Sequence, residues 1–153
     1  MPDTPIKDQL AAEIKTAMRA GDKARLGTLR MMHAAIRQRE IDEQVELDDA
    51  RVIEVLDRMA KQHRESATQY REAGRADLTD HEEAELAVLG EFLPEPLDEA
   101  TLDTLIDEAI AESGASSMKD MGGVMATLKP QVQGRADMSA VSARVKARLA
   151  DAG

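Results

Sequence analysis

Residues 119–149 read KDMGGVMATLKPQVQGRADMSAVSARVKARL and predict two short amphipathic helices joined by a rigid, basic turn. In the first helix, apolar side chains recur at the i, i+3, i+4 and i+7 positions, which share one helical face. These side chains are Met121, Val124, Met125 and Leu128. The second helix repeats apolar residues at steps of four, at Val141, Val145 and Leu149. Each helix therefore offers one apolar side to a core.

The connection between these two helices contains residues with strong backbone preferences. We predict that Pro130 ends the first helix, because proline lacks an N–H and disfavours the helical conformation in the residue before it. Gly134 supplies the backbone angles that a sharp reversal requires. Asp137 is predicted to be the N-cap of the second helix.

The rest of the sequence predicts further helices and no strand, because no segment alternates apolar and polar residues. A first helix is expected with Thr4 as its N-cap, Pro5 in its first position and Gly21 at its end. The other predicted spans are residues 22–41, residues 48–73 capped by Asp48, residues 79–92, and residues 98–114 capped by Asp98 and ended by Gly114. Ser117 and Asp120 have the spacing of a capping box. We expect an all-α protein.

Two prolines mark the predicted domain boundary. Pro94 and Pro96 lie too close together for a continuous helix. We therefore expect two successive helical bundles, with residues 1–94 forming an N-terminal bundle of about four helices and residues 95–153 a compact three-helix module. A unit of fewer than about 60 residues is marginally stable alone, so the module should lean on the first bundle or on a partner.

The composition narrows the class of protein. With one Phe, one Tyr and nine Met, the core must be aliphatic, and methionine fills its irregular gaps. The absence of Cys excludes a disulfide framework and a thiolate site. No apolar run is long enough to span a membrane, and the N-terminus lacks a signal-like apolar region. We predict a cytoplasmic protein without a membrane partner; many Ala and Arg and no Asn suggest a GC-rich bacterial genome.

The charge of the chain is distributed unevenly. A net charge of −10 argues against indiscriminate binding of nucleic acid. Two zones are nevertheless basic: Lys15 to Arg39 holds seven basic residues and one acid, and Ser113 to Ala150 holds six basic residues and two acids. Each zone is either a local phosphate-binding surface or a set of solvated helix faces.

The sequence lacks the patterns of the common catalytic sites. It has no Gly-rich phosphate loop, no Ser elbow and no Cys nucleophile, and its histidines, His33, His63 and His81, fit no zinc-binding spacing. We expect His63 to be a packed or hydrogen-bonded histidine and not a metal ligand. If the helix begins early enough for Asp77 and His81 to meet at i, i+4, we expect the pair to form a salt bridge and not a metal site. The acids Glu82, Glu83 and Glu85 are expected to be a solvated face. We predict a non-catalytic protein without cofactor or metal.

The pair Gly122-Gly123 lies inside a predicted helix, where glycine costs roughly 1 kcal/mol relative to alanine. One interpretation is a close approach between two helices of this chain. The other is access to the backbone for a bulky partner, such as the sugar-phosphate edge of an RNA. The two interpretations are compatible, since they concern opposite faces of the helix.

The candidate RNA-binding residues lie on and around these two helices. They are Lys119, Lys129, Gly134, Arg135, Arg144, Lys146 and Arg148. Proteins that read single-stranded RNA generally stack bases on aromatic side chains, and residues 95–153 contain none. Recognition of a folded RNA by shape and backbone contacts is therefore the better form of the hypothesis.

The sequence also resembles a known family. Residues from about Met118 to Leu149 are similar to the tail domain of the B subunit of the tRNA-dependent Asp/Glu amidotransferase, and the whole chain resembles the small stand-alone GatB/YqeY family. The matching motifs are Gly-x-Val-Met at 122–125, Gly134-Arg135-Ala136-Asp137, Arg30-Met31-x-x-Ala34-Ala35-Ile36 and Glu85-Leu86-x-x-Leu89-x-x-Phe92-Leu93-Pro94.

The resemblance implies a tRNA-binding accessory protein, because the tail domain helps to hold tRNA while other regions convert Glu or Asp into the amide. It suggests an aminoacyl-tRNA synthetase or an amidotransferase as further partners. The chain lacks the catalytic domain of the parent subunit, so its residues support no independent carbon–nitrogen ligase with glutamine as amide donor. The alternative is an adaptor that docks a tRNA-handling enzyme through Met31, Met32, Met118, Met121 and Met125.

Overall fold

The computed structural model describes residues 4–152, and within that range the chain is helical and has no strand. The predicted all-α fold is confirmed. In chain order the helices are α1 (Ile6–Ala20), α2 (Lys23–Glu43), α3 (Asp49–Glu72), α4 (Ala76–Gly90), α5 (Glu99–Ser113), α6 (Met121–Val132) and α7 (Met138–Ala152), with a 3₁₀ turn at Met118–Asp120. None of these helices is long and apolar enough to cross a lipid bilayer.

Several helix ends have the predicted caps. Gly21 ends α1 in the left-handed conformation, at φ 68°, which costs glycine little. The side chain of Asp48 accepts a hydrogen bond from the Arg51 amide at 3.0 Å, and Asp98 accepts one from the Thr101 amide at 2.7 Å. The capping box of Ser117 and Asp120 is present. Each cap satisfies amides or carbonyls that a helix end leaves without partners.

Two predicted helix starts are wrong. Pro5, and not Thr4, occupies the N-cap position of α1 without a side-chain hydrogen bond, and the Thr4 carbonyl accepts a bond from the Gln9 side chain instead. Helix α4 begins at Ala76, three residues before the predicted start at Thr79. The Thr79 hydroxyl donates to the Arg75 carbonyl at 2.9 Å, so this polar side chain is satisfied inside the helix while it is buried.

Pro130 does not end α6, which continues to Val132. The proline nitrogen has no hydrogen to donate to the helix. The next turn still closes, with a hydrogen bond of 3.0 Å from the Gln133 amide to the Lys129 carbonyl. Val132 is fully buried. Burial of this side chain therefore extends the helix past a residue that usually stops one.

The contacts within the chain divide it into two compact units, with the boundary between Leu93 and Pro94. In the first unit, α1–α4 bury an aliphatic core together with the ring of Phe92. The largest fully buried side chains of this core are Leu10, Leu29, Met32, Leu56 and Leu89.

In the second unit, α5, α6 and α7 surround a separate core. Its buried side chains are Leu102, Ile106, Ala109, Val124, Leu128, Val132, Val141, Val145 and Leu149. The apolar positions of residues 119–149 are therefore the positions that the fold buries. The polar sides of α6 and α7 point away from this core.

Glu40 of α2 links three segments of the first unit. Its carboxylate accepts a hydrogen bond of 2.6 Å from Nζ of Lys7 in α1 and one of 2.9 Å from the amide of Leu47, which precedes α3. The bond from Lys7, followed by that from Leu47, holds the pKa of Glu40 below its ordinary value of 4.5. The ionised form of Glu40 therefore stabilises the fold.

We predict that Glu40→Gln lowers the stability of the protein near neutral pH and loses this effect in acid. A carboxyl whose pKa is depressed in the folded state stabilises above its unfolded pKa, and the contribution disappears as pH falls through the folded value. Urea unfolding of both proteins, in steps from pH 7 to about pH 3, measures the difference. Glu65→Gln, at an exposed position of α3, is the control. A difference that stays constant across this range would contradict the role of Glu40.

Candidate nucleic-acid interface

Arg144 and Arg148 lie one turn apart on α7 and both face acids of α5. Nη1 of Arg144 lies 2.8 Å from Oδ1 of Asp103, and its Nη2 lies 3.1 Å from Oε1 of Glu99. Arg148 approaches the same Asp103 at 3.1 Å and also forms an ion pair with Asp107. The guanidinium of Arg148 donates to the Asp103 carbonyl as well, at 3.1 Å. These contacts join α5 to α7.

The ion pairs change the interpretation of these two arginines. Their side chains are 34% and 30% exposed, and each already has carboxylate partners. Their positive charge is therefore compensated within the protein, which suits packing better than phosphate binding. The acids Glu99, Asp103 and Asp107 recur at steps of four on α5, as the two arginines do on α7, and that shared spacing is a signal for the pairing.

Gly134 and Arg135 form the turn between α6 and α7. Gly134 adopts a positive φ of 76°, as the predicted reversal requires. The carbonyl of Arg135 accepts a bond of 2.8 Å from the Leu97 amide, and its Nε donates to the Glu95 carbonyl at 3.0 Å. Arg135 thus fastens the turn to the segment that leads into α5, and its side chain stays half-buried.

The three predicted lysines remain at the surface. Lys119 lies in the 3₁₀ turn, Lys129 in the last turn of α6 and Lys146 in the middle of α7, and all three are exposed. The seven predicted residues thus belong to three settings: the α5–α7 contact, the turn, and exposed lysines.

The glycine pair has no neighbour among the described residues. A Cβ atom built on Gly122 or Gly123 would meet no atom within 4 Å outside its own helix backbone, and both residues are exposed. The predicted close approach between two helices of this chain is therefore wrong. Of the two interpretations, access to the backbone from outside the chain is the one that the geometry allows.

The glycines belong to an exposed strip that we call the α6 outer face. At helical spacing it contains Lys119, Gly122, Gly123, Ala126 and Lys129, all of them exposed. The two lysines stand at its ends, ten residues or roughly 15 Å apart along the axis. Between them the surface carries no side chain larger than a methyl group, so a rigid polyanion can touch the backbone of α6 while its charges lie near the lysines.

A second polar cluster lies between α3 and α4. His63 is hydrogen-bonded there, as the sequence allowed, but its acidic partners were not predicted. Nδ1 of His63 lies 2.5 Å from Oε2 of Glu82, and its Nε2 lies 3.6 Å from Glu85. His81 approaches Glu85 at 2.6 Å. The expected pair of His81 with Asp77 is wrong, because Asp77 pairs with Arg75 at 3.2 Å. Within residues 4–152 no group of three or more such side chains is arranged to hold a metal ion.

The solvated face predicted for α4 is also wrong for two of its three acids. The side chains of Glu82 and Glu85 are only 17% and 13% exposed, and they surround the imidazole of His63. A usable signal was present in the sequence. Glu82 continues the apolar stripe that Thr79, Leu86 and Leu89 define at steps of three and four, and an acid in such a stripe requires a partner.

The methionines proposed for an adaptor surface are divided by the fold. Met32 is fully buried in the first core, and Met121 and Met125 pack against the second. Met31 and Met118 are 42% and 41% exposed. Only the last two of the five predicted residues are therefore available to a partner without rearrangement.

We predict that His63→Gln lowers the free energy of unfolding by about 1–3 kcal/mol. The one amide nitrogen of glutamine cannot replace the two ring nitrogens that face Glu82 and Glu85, so one largely buried carboxylate loses its donor. Adding Glu82→Gln to the His63→Gln variant should restore part of the lost stability, since the amide at position 82 is neutral and brings donors of its own. Urea unfolding of the wild type, both single variants and the double variant measures the coupling. His33→Gln, at an exposed position of α2, should have almost no effect. A His63→Gln cost as small as that of the control would refute the cluster's role.

The chain is similar to known proteins along most of its length. A profile of the family described as Yqey-like protein matches residues 7–149. The "Altered inheritance of mitochondria protein 41, mitochondrial" of Pyrenophora tritici-repentis is 28% identical over 148 residues, which cover 95% of this chain and 81% of that protein. A protein of the same name from Lachancea thermotolerans is 28% identical over 106 residues, covering 67% of this chain and 57% of its own length.

The profile extends from α1 to α7 and includes both glycine motifs, at Gly122 and at Gly134. The resemblance found in the sequence is therefore confirmed at the level of the family. Since the match covers nearly the whole chain, this protein belongs to the YqeY-like family.

Proposed function

We propose that this protein is a non-catalytic accessory protein that binds tRNA through the α6 outer face. The observation that carries the proposal is the exposed pair Gly122 and Gly123, which no contact within residues 4–152 explains. Both glycines lie in the first turn of α6, where glycine still loses more backbone freedom on folding than alanine would. A partner that must approach the backbone closely supplies a reason for them.

The chemistry of this face suits the backbone of a folded RNA. Lys119 and Lys129 can lie against phosphates at the two ends of the strip, and the glycines let ribose and phosphate groups contact α6 directly. The second unit has no aromatic residue, so stacking of unpaired bases is not its means of recognition. Binding of this kind depends on shape and on charge, and therefore on salt.

The proposed site is narrower than the set of residues predicted from sequence. Arg144 and Arg148 are assigned to the contact between α5 and α7, because acids of α5 compensate their charge. Arg135 is assigned to the turn, because its Nε donates to the Glu95 carbonyl. Lys146, which is exposed on α7, is not needed for the proposed site.

The choice of tRNA comes from the similarity of residues 118–149 to the amidotransferase tail domain. The motifs Gly-x-Val-Met at 122–125 and Gly134-Arg135-Ala136-Asp137 support that similarity. An amidotransferase or an aminoacyl-tRNA synthetase would then perform the chemistry on an RNA that this protein holds. The cytoplasmic location predicted from sequence stays a prediction; the two fungal relatives carry the word mitochondrial in their names.

We expect the full-length protein to bind unmodified tRNA with an affinity that falls between about 50 mM and about 200 mM salt. The double variant Lys119→Glu with Lys129→Glu should weaken binding. It should also make the plot of log affinity against log salt concentration less steep, by about one unit of slope for each phosphate that the variant no longer neutralises. Fluorescence anisotropy of labelled tRNA at several salt concentrations measures both quantities.

The matched control is Arg58→Glu with Lys61→Glu, which changes the net charge equally at exposed positions of α3. It should leave most of the affinity in place. Gly123→Leu should weaken binding without removing charge, because the leucine fills the strip while open space around it spares the fold. Equal losses in both charge variants would reject the α6 outer face, and no salt-dependent binding by the wild type would reject the tRNA function.

A further inference from the structure

Helix α2 is apolar on two sides. Its inner side chains Leu29, Met32 and Ile36 are buried in the first core. On the opposite side, Met31 is 42% exposed and Ile41 is 61% exposed. Exposed apolar side chains that form a patch with polar residues around it mark an interaction surface. Only the inner side of α2 is covered by the described residues.

The outer apolar residues belong to a regular series, which we call the α2 seam. It consists of Gly27, Met31, Ala34, Gln38 and Ile41, and all five are exposed. They are separated by steps of four, three, four and three, so at about 100° per residue they lie within about 60° of the direction of Ala34. Steps that average 3.5 residues are the pattern by which two helices pack along their length.

Gly27 adds an observation that the fold does not explain. It lies in the interior of α2 at an exposed position, and a Cβ atom there would meet nothing within 4 Å. In that place glycine costs roughly 1 kcal/mol relative to alanine. Together with Ala34, which lies seven residues further on, Gly27 gives the seam two positions with small side chains. The backbone of a second helix can come close at these positions.

A row of cations runs along one side of the seam. Lys23, Arg30 and Arg37 follow each other at steps of seven, about 10 Å apart, and they are exposed. None of the three forms an ion pair with a described residue, although Arg37 lies near enough to Glu40 to help lower the pKa of its carboxyl. By contrast, Arg25 and Arg39 of the same helix each pair with two glutamates.

We propose that the α2 seam is the docking site for an amphipathic helix of a partner protein, with acidic residues beside its apolar stripe. The apolar stripe would cover Met31 and Ile41, and its backbone would approach at Gly27. The acids would lie opposite Lys23, Arg30 and Arg37. An RNA would use the cations but would gain nothing from the apolar residues, and a second copy lying antiparallel would bring two rows of cations together.

The docking site is independent of the α6 outer face, and a direct experiment tests it with a defined probe. The probe is a labelled synthetic peptide of about four heptads, with leucine at the seam positions and glutamate beside them. We expect saturable binding to the full-length protein, weakened by salt, with the largest amide chemical-shift changes at the seam residues. A peptide with lysine in place of glutamate should bind at least about tenfold more weakly.

Two variants separate close helix packing from simple charge attraction. Gly27→Lys adds a cation but fills the seam, so it should weaken binding of the acidic peptide at least about tenfold. If charge alone attracts the peptide, the same variant should bind more tightly. Arg30→Glu with Arg37→Glu should also weaken binding, whereas Arg58→Glu with Lys61→Glu on α3 should not. Circular dichroism and thermal melting establish that each variant is folded.

Four outcomes of the peptide-binding experiments would overturn the proposal. These are no saturable binding of the acidic peptide, shift changes away from α2, unchanged or tighter binding by Gly27→Lys, and displacement of the bound peptide by tRNA with the same shift changes at the seam. Self-association of the wild type that Gly27→Lys abolishes would assign the seam to a second copy instead, and would equally overturn it.

Discussion

Each helix of this protein must bury an aliphatic stripe against its neighbours, and the chain has hardly any aromatic rings with which to fill the space between them. Branched and flexible side chains such as Leu56, Met32 and Val145 fill it in two separate cores. Because aliphatic contacts have little directional preference, polar contacts at the edges of the cores specify which helix faces meet. Asp103 between Arg144 and Arg148, Glu40 between Lys7 and Leu47, and His63 between two glutamates have this position.

The same contacts sort the cations of an acidic protein. Arginines that hold helices together, such as Arg25 and Arg144, have their charge compensated by nearby carboxylates. Those along the outer side of α2 have no such partner within residues 4–152, and the lysines of the α6 outer face remain exposed. A charge of −10 keeps polyanions away from most of the surface. Cations stand beside small exposed residues in two places, the α2 seam of the first unit and the α6 outer face of the second. The two proposals assign an acidic partner helix to the former and tRNA to the latter.

Local patterns were enough to predict the elements of the fold, because the spacing of Val141, Val145 and Leu149 and the caps at Asp48 and Asp98 depend only on neighbours in the chain. Tertiary partners decided the rest. Helix α6 continues past Pro130 because Val132 finds a place in the core. Glu82 is largely covered because His63, nineteen residues earlier, faces it. For the candidate site, the sequence was enough to identify the basic residues. Only the arrangement of α5 beside α7 shows that Arg148 pairs with acids of α5, whereas Lys119 is exposed. The openness around Gly122 could not be read from its spacing, which suits a buried contact equally well.

Three glycines inside helices, Gly27, Gly122 and Gly123, have open space where a side chain would be. At such positions alanine stabilises a protein by about 0.4–1 kcal/mol, chiefly by restricting the unfolded chain. A laboratory selection for heat resistance alone would therefore replace all three early. Under the two proposals, the glycines mark positions where a gain in thermostability would reduce molecular recognition.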